Sequence, residues 1–122
     1  MFEVAYETTF CATHRLTEDG RPIEPVHGHD WRVEAVAAGN ELDRLGVVLD
    51  FEHLKKALGE VAARFHYRDV NEHPAFDGQS PSAEAVARYF FREVGKSLGE
   101  EGRLLRRVRV WEAPGCSATY SE

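Results

Sequence analysis

Three histidines near the start of this chain have the types and spacing to do chemistry. His27 and His29 flank Gly28 in Glu24-Pro25-Val26-His27-Gly28-His29, and His14 lies thirteen residues before His27. Side chains two residues apart leave a strand on the same face, so an extended His27-Gly28-His29 directs both imidazoles one way. His14 on a neighbouring strand would complete a face of three imidazoles. Three neutral imidazoles with a fourth position open form the donor set of a catalytic zinc, whereas a structural site closes with four protein ligands. The carboxylate of Glu24 then stands near enough in sequence to act as a base beside a metal-held substrate. The plain alternative is a pair of surface histidines in a loop.

The elements that must position these residues are readable from periodicity. Residues 2–13 alternate and are rich in Val, Tyr, Thr and Phe, which predicts a strand. A polar loop with Gly20, Pro22 and Pro25 follows, and 27–38 is expected as the antiparallel return strand, ended by Gly39-Asn40. Asp50 is a helix cap for a helix from Phe51, with Leu54, Leu58, Val61, Ala62 and Phe65 on one face. A loop over 66–79 leads to Ser80-Pro81, a serine cap with proline at the first helical position. Val86, Phe90, Val94 and Leu98 make the inner stripe of that second helix, and Gly99 ends it. Residues 104–113 and 116–121 are strands around a Pro114-Gly115 turn.

The order β-β-α-α-β-β predicts an α+β fold, a single domain over 1–122 with a four-stranded antiparallel sheet and two helices. Helices over one face leave the outer strands as open edges, so edge-to-edge assembly into a homo-oligomer is expected.

Composition narrows the function classes. The formal charge of −6 opposes nonspecific nucleic-acid binding, which depends on phosphate neutralisation. Arg107 and Arg109 alternate with Val108 and Val110 and are expected on the solvent face of a strand. No apolar run reaches a membrane span, and Met1-Phe2-Glu3-Val4 has no signal-like core, so a cytoplasmic protein without membrane partners is expected. Cys11 and Cys116 are expected to be reduced, buried and apolar in character. His53 and His73 are expected at the surface.

Along nearly its whole length the chain resembles the 6-pyruvoyltetrahydropterin synthase family. The matching pieces are Phe10-Cys11-Ala12-Thr13-His14, His27-Gly28-His29-Asp30-Trp31 and Gly46-Val47-Val48-Leu49-Asp50-Phe51. Further along they are Val70-Asn71-Glu72, Pro81-Ser82-Ala83-Glu84, Val110-Trp111-Glu112 and Tyr120. The resemblance implies a tunnelling fold, whose subunits build a trimeric barrel that stacks into a homohexamer with active sites between subunits. It implies Zn2+ on His14, His27 and His29, and a pterin small-molecule substrate anchored by Glu112. A carboxylate suits that role because it accepts two parallel hydrogen bonds from a ring N–H and an adjacent amino group. Ser82 and Glu84 match a segment near the pterin pocket, and also suit the first turn of a helix.

The chain departs from the family pattern in two places. Members that make 6-pyruvoyl- or 6-carboxytetrahydropterin carry a cysteine a few residues before His-Gly-His, whereas residues 21–26 here are Arg, Pro, Ile, Glu, Pro and Val. The Glu-x-x-His-Gly-His pattern resembles the branch that replaces dihydroneopterin aldolase in folate synthesis. That branch is a lyase that cleaves a dihydroneopterin side chain to 6-hydroxymethyl-7,8-dihydropterin, and Glu24 is the expected catalytic base. Alternatives are a 6-carboxytetrahydropterin synthase of queuosine biosynthesis and a catalytically silent zinc- or pterin-binding homologue. The family's Asp-His proton-relay pair is also altered: His66 falls at the aspartate position and Tyr67 at the histidine position, so each is a candidate relay residue. Arg15 and Arg68 are candidates to meet a substrate phosphate.

Overall fold

In the computed structural model, which describes all 122 residues, Phe2–His14 (β1) and His27–Gly39 (β4) form a long antiparallel pair. Their register runs unbroken from Phe2 opposite Gly39 to His14 opposite His27. Between them, Thr17–Glu18 (β2) and Arg21–Pro22 (β3) make a small separate hairpin. Asp19 and Gly20 close it with φ of 52° and 78°, the pair of left-handed positions that a two-residue hairpin loop requires.

Phe51–Ala63 (α1) starts at Asp50, whose carboxylate accepts from the Glu52 amide at 2.8 Å. Leu54, Ala57, Leu58, Val61 and Ala62 form its buried face, and Phe65 continues it beyond the helix. The chain then does not remain a loop. Arg68–Asp69 (β5) pairs in parallel with β1 at Ala12 and Thr13. Burial of Phe65 brings the following backbone against the edge of β1, where the Tyr67 amide donates to the Cys11 carbonyl at 2.7 Å. Two 3-10 turns follow at Val70–Glu72 and Pro74–Phe76.

Ala83–Leu98 (α2) is capped by Ser82, whose hydroxyl accepts from the Ala85 amide, and not by Ser80 as expected. The Ser80 hydroxyl is engaged elsewhere, accepting from the Thr17 amide at 3.0 Å, so Pro81 precedes the helix instead of opening it. Gly99 ends α2 with a φ of 65°. Leu105–Ala113 (β6) and Cys116–Ser121 (β7) complete the sheet in the order β5-β1-β4-β6-β7. The sheet thus has five strands where four are expected, and all but the short β5 pair antiparallel.

Both helices cover one face of this sheet. Phe10 is the centre of the aromatic packing, with its ring centroid 5.7 Å from Trp31, 5.5 Å from Phe90 and 6.1 Å from Phe65. The opposite face is polar. Arg107 makes two 3.0 Å bonds to the Glu3 carboxylate, and the Arg32 and Arg109 guanidiniums lie 3.7 and 4.6 Å from the centre of the Trp111 ring. Cys11 is only half-buried and Cys116 is exposed, against the expectation of two buried thiols. Cys11 alternates onto the polar face and Cys116 follows a surface turn. Cys11 lies beside Asp30, and partial burial together with that carboxylate pushes its thiol up. No helix is long and apolar enough to cross a membrane.

Replacing Phe10 by Ala leaves a cavity among three aromatic rings, and a loss of about 3–5 kcal/mol is expected. Urea unfolding followed by circular dichroism reads it directly, and a loss below about 1 kcal/mol would contradict this packing role.

Candidate metal centre and active site

The β1–β4 register builds the site. His14 is opposite His27, and His29 is opposite Ala12, so all three imidazoles occupy the helix-facing side of the sheet end. Their ring centroids are 4.6, 4.8 and 5.3 Å apart, and the rings stand at 69° to 81° to one another. Trp31 lies behind them, 4.8 Å from His14.

Backbone carbonyls orient two of the rings. His14 is fully buried, and its Nδ1 donates to the Pro81 carbonyl at 2.9 Å. His27 Nδ1 donates to the Pro25 carbonyl at 2.9 Å. A carbonyl only accepts, so both rings carry a proton on Nδ1, and each in its neutral form keeps a lone pair on Nε2. That is the outer support metal-binding histidines normally have. Nε2 of His14 and of His29 are buried without any hydrogen-bond partner, a costly state for polar atoms unless something else engages them. Burial pushes His29 below the ordinary histidine range, outweighing the opposing pull of Glu112, so its ring is neutral near pH 7.

Glu112 joins this group. Its Oε1 is 2.6 Å from His14 Nε2 and 3.5 Å from His29 Nε2. Donor atoms of His14, His27, His29 and Glu112 all lie within 4.8 Å of one another. Ligands about 2.0–2.1 Å from a tetrahedral ion are separated by roughly 3.3 Å, so the cluster has the dimensions and donor types of a zinc-class site. These buried, unpartnered Nε2 atoms fit a metal, because a buried polar atom without a partner is costly.

Glu24 stands beside the cluster. Its Oε1 accepts from the Leu16 amide at 2.9 Å and lies 3.8 Å from His27 Nε2, with the side chain about one-third exposed at 33%. It is therefore fixed in position and still open to solvent. Two further residues support the same turn, Asn71 and the Ser80 that does not cap α2. Asn71 accepts from the Arg15 amide at 2.8 Å and donates to the Arg15 carbonyl at 3.0 Å, and Ser80 holds the Thr17 amide. The amides of residues 15, 16 and 17 are thus each taken by a side chain from a different segment. Only the chemical need of a strand leaving its sheet hints at this in sequence.

The other expected residues lie elsewhere. His66 Nδ1 accepts from the Cys11 amide at 3.1 Å, and its ring lies 3.9 Å from Tyr67. Tyr67 is 81% exposed with a φ of 59°. Neither belongs to the metal-competent group. Tyr67 and Arg68 instead line a groove of about 650 Å³ with Cys11, Thr13, Gly28 and His73. Ser82 is engaged as a helix cap and Glu84 is exposed in the first turn of α2. Arg15 is half-buried and Arg68 is exposed, and neither has a carboxylate partner. His53 is at the surface, paired with Glu101 at 2.9 Å. His73, expected at the surface, is half-buried beside the groove. Its Nδ1 accepts from the Ala75 amide and its ring packs on Phe65 and Tyr89, because it caps a 3-10 turn over the core.

Comparison with known proteins accords with this geometry. Residues 3–122 match the family model described as 6-pyruvoyl tetrahydropterin synthase. A protein of Archaeoglobus fulgidus, provisionally named 6-carboxy-5,6,7,8-tetrahydropterin synthase, is 33% identical over 89% of this chain and 86% of its own. The dihydroneopterin monophosphate aldolase of Pyrococcus furiosus is 29% identical over 89% of this chain and 88% of its own. Among solved structures, Caenorhabditis elegans 6-pyruvoyl tetrahydropterin synthase superposes with a TM-score of 0.89 at 24% identity, covering 99% of this chain and 95% of that one, which establishes the fold.

His29 and His73 are both pushed down by burial, so the folded protein refuses protons that the unfolded chain accepts. Their contribution to stability is full above the ordinary value of 6.5 and is lost as pH falls through 6.5 toward the lowered folded values. The metal-free protein is expected to show a lower urea midpoint at about pH 5.5 than at about pH 7.5, and His29→Gln with His73→Gln should flatten that difference. An equally steep fall in the double variant would assign it to carboxylates.

Proposed function

The chain belongs to the 6-pyruvoyl tetrahydropterin synthase family, and from that premise we propose that it is a zinc-dependent lyase acting on a 7,8-dihydroneopterin or its phosphate esters. The product of this reading is 6-hydroxymethyl-7,8-dihydropterin. The observation that carries it is Glu24. A carboxylate held beside the imidazole cluster stands where cysteine-dependent members carry a thiol, and neither Cys11 nor Cys116 belongs to the cluster.

His14, His27 and His29 would hold the ion, which supplies Lewis acidity toward hydroxyls of the substrate side chain. Glu24, fixed by the Leu16 amide, takes the proton of the hydroxyl on the second side-chain carbon. That oxygen's electron pair becomes a carbonyl as the bond between the first and second carbons breaks. The released pair passes into the pterin ring, and a proton returned to the first carbon completes the hydroxymethyl product. Glu112 is the group suited to accept the donors of the pterin ring.

A second reading has its own support. The Archaeoglobus fulgidus relative bears the name of a 6-carboxytetrahydropterin synthase, which would make this chain a synthase using Glu24 in place of cysteine. The zinc-loaded protein should therefore be incubated with 7,8-dihydroneopterin, its monophosphate and its triphosphate, and the products resolved by chromatography. Formation of 6-hydroxymethyl-7,8-dihydropterin is expected, with Glu24→Ala lowering the rate by at least about a hundredfold. A 6-carboxy or 6-pyruvoyl product would favour the second reading, and pterin binding without turnover would mark a silent scaffold.

Assembly follows from the sheet edges. Beyond Ala12 and Thr13, β1 has no partner on its outer side, and β7 is the other open edge. Joining β7 of one copy to β1 of the next closes such sheets into a ring and removes both edges. Light scattering is expected to give a trimer or a stack of two trimers, and a monomer at micromolar concentration would overturn this assembly.

A further inference from the structure

Glu112 lies at an irregularity of the sheet. Trp111 pairs with Ser117 and Ala113 with Cys116, so β6 has one residue more than β7 over this step, and Glu112 is the extra one. Val108 and Val110 face the helices, and Glu112 keeps that alternation, which aims it at the end of the sheet where the imidazoles stand; bulges are also frequent beside active sites. While Trp111 is held on the polar face by Arg32 and Arg109, Glu112 turns to the imidazoles.

With a neutral His14 ring, the contact it makes there is not a hydrogen bond. Glu112 Oε1 approaches His14 Nε2 to 2.6 Å, yet that nitrogen has no hydrogen-bond partner. The Nδ1 bond to Pro81 explains this, because the His14 proton is on the other nitrogen. Two lone-pair-bearing atoms repel when nothing lies between them. They stand as neighbours without a shared proton when both face a common third point, as ligands around one ion do. His29 Nε2, also without a partner and 3.5 Å from the same oxygen, completes the convergence.

We propose that the Glu112 carboxylate is a displaceable fourth ligand that closes the His14–His27–His29 metal site until a pterin ring draws it away. Three imidazoles and a carboxylate make a closed tetrahedral set, the form of a resting rather than a reacting site. The side chain is 30% exposed, which leaves it room to turn outward. A carboxylate that accepts two parallel bonds from a ring N–H and its neighbouring amino group has both oxygens engaged and is lost to the metal. Recognition of the ring and opening of the fourth position are then one event. A metal that is closed until the correct ring arrives is also shielded from adventitious anions. This inference rests on the pterin and metal readings above and adds to them a role for Glu112 in the absence of substrate.

The test uses cobalt(II) as a probe of the metal site in the full-length protein, read by visible absorption, whose intensity and band positions report coordination number and donor set. Metal-free wild type and Glu112→Gln are titrated with cobalt, and an oxidised pterin that cannot react is then added. Wild type is expected to bind cobalt at least about tenfold more tightly than Glu112→Gln, since even outer partners of metal ligands are worth that much. The two cobalt spectra should differ, and pterin should change that of wild type alone. Identical spectra and affinities would overturn the inference and leave the metal and pterin readings standing. Pterin that binds wild type, seen by fluorescence, without altering its cobalt spectrum would overturn displacement even if the variant proved unfolded. A wild type that takes up no cobalt would overturn the metal reading itself, and this inference with it.

Discussion

The bond between His14 Nδ1 and the Pro81 carbonyl is the constraint on which the site depends. It ties the end of β1 to the residue before α2 across 67 positions of sequence, so the sheet and the second helix meet at the imidazole cluster. It also decides the tautomer. In the neutral ring, with the proton on Nδ1, Nε2 presents a lone pair, in a fully buried residue where an unengaged lone pair is unfavourable. The position of Ser82 as helix cap follows, because Pro81 and Ser80 are committed to β1 and to the turn after it.

That turn shows how binding geometry and structural need share the same residues. When β1 ends at His14, the next three amides lose their sheet partners. Asn71, Glu24 and Ser80 supply acceptors from three separate segments. Glu24 is therefore both a strut of the loop and the carboxylate nearest His27. The loop that carries it is shaped by the Asp19-Gly20 hairpin, whose left-handed backbone reverses the chain within two residues. In the proposed reaction this stiffness serves the chemistry, since a base on a mobile loop would spend little time at a productive distance.

The two faces of the sheet have different tasks. The helix-facing side holds the aromatic core around Phe10 and, at its end, the metal-competent group. The other side is a lattice of ion pairs and guanidinium–indole contacts. Exposed pairs of this kind contribute little stability each, but they make the face polar enough to exclude the core. The sheet's unpaired backbone groups lie at its edges, β7 and the outer side of β1 beyond β5.

Much of this was determined locally and is legible in the residues. The strands around the histidines follow from alternation, both helices from 3.6-residue periodicity, and the Asp50 cap from its side chain. The same-face placement of His27 and His29 follows from strand geometry alone, and His14 joins them once the two strands pair in register. Other features needed the tertiary structure because their cause is distant in sequence. Arg68–Asp69 forms a strand only because Phe65 is buried and delivers the backbone to a free edge. Ser80 gives up its expected role because the amide of Thr17, 63 positions away, needs an acceptor. Cys116 is exposed and His73 half-buried, against expectation, because exposure belongs to the packed fold and not to residue type. Glu112 shares the helix-facing side with Val108 and Val110 by alternation, but only the packing of β6 beside β4 brings it to the imidazoles. Short-range preferences are written in the order of residues, whereas unsatisfied backbone groups and lone pairs find their partners only when distant segments pack.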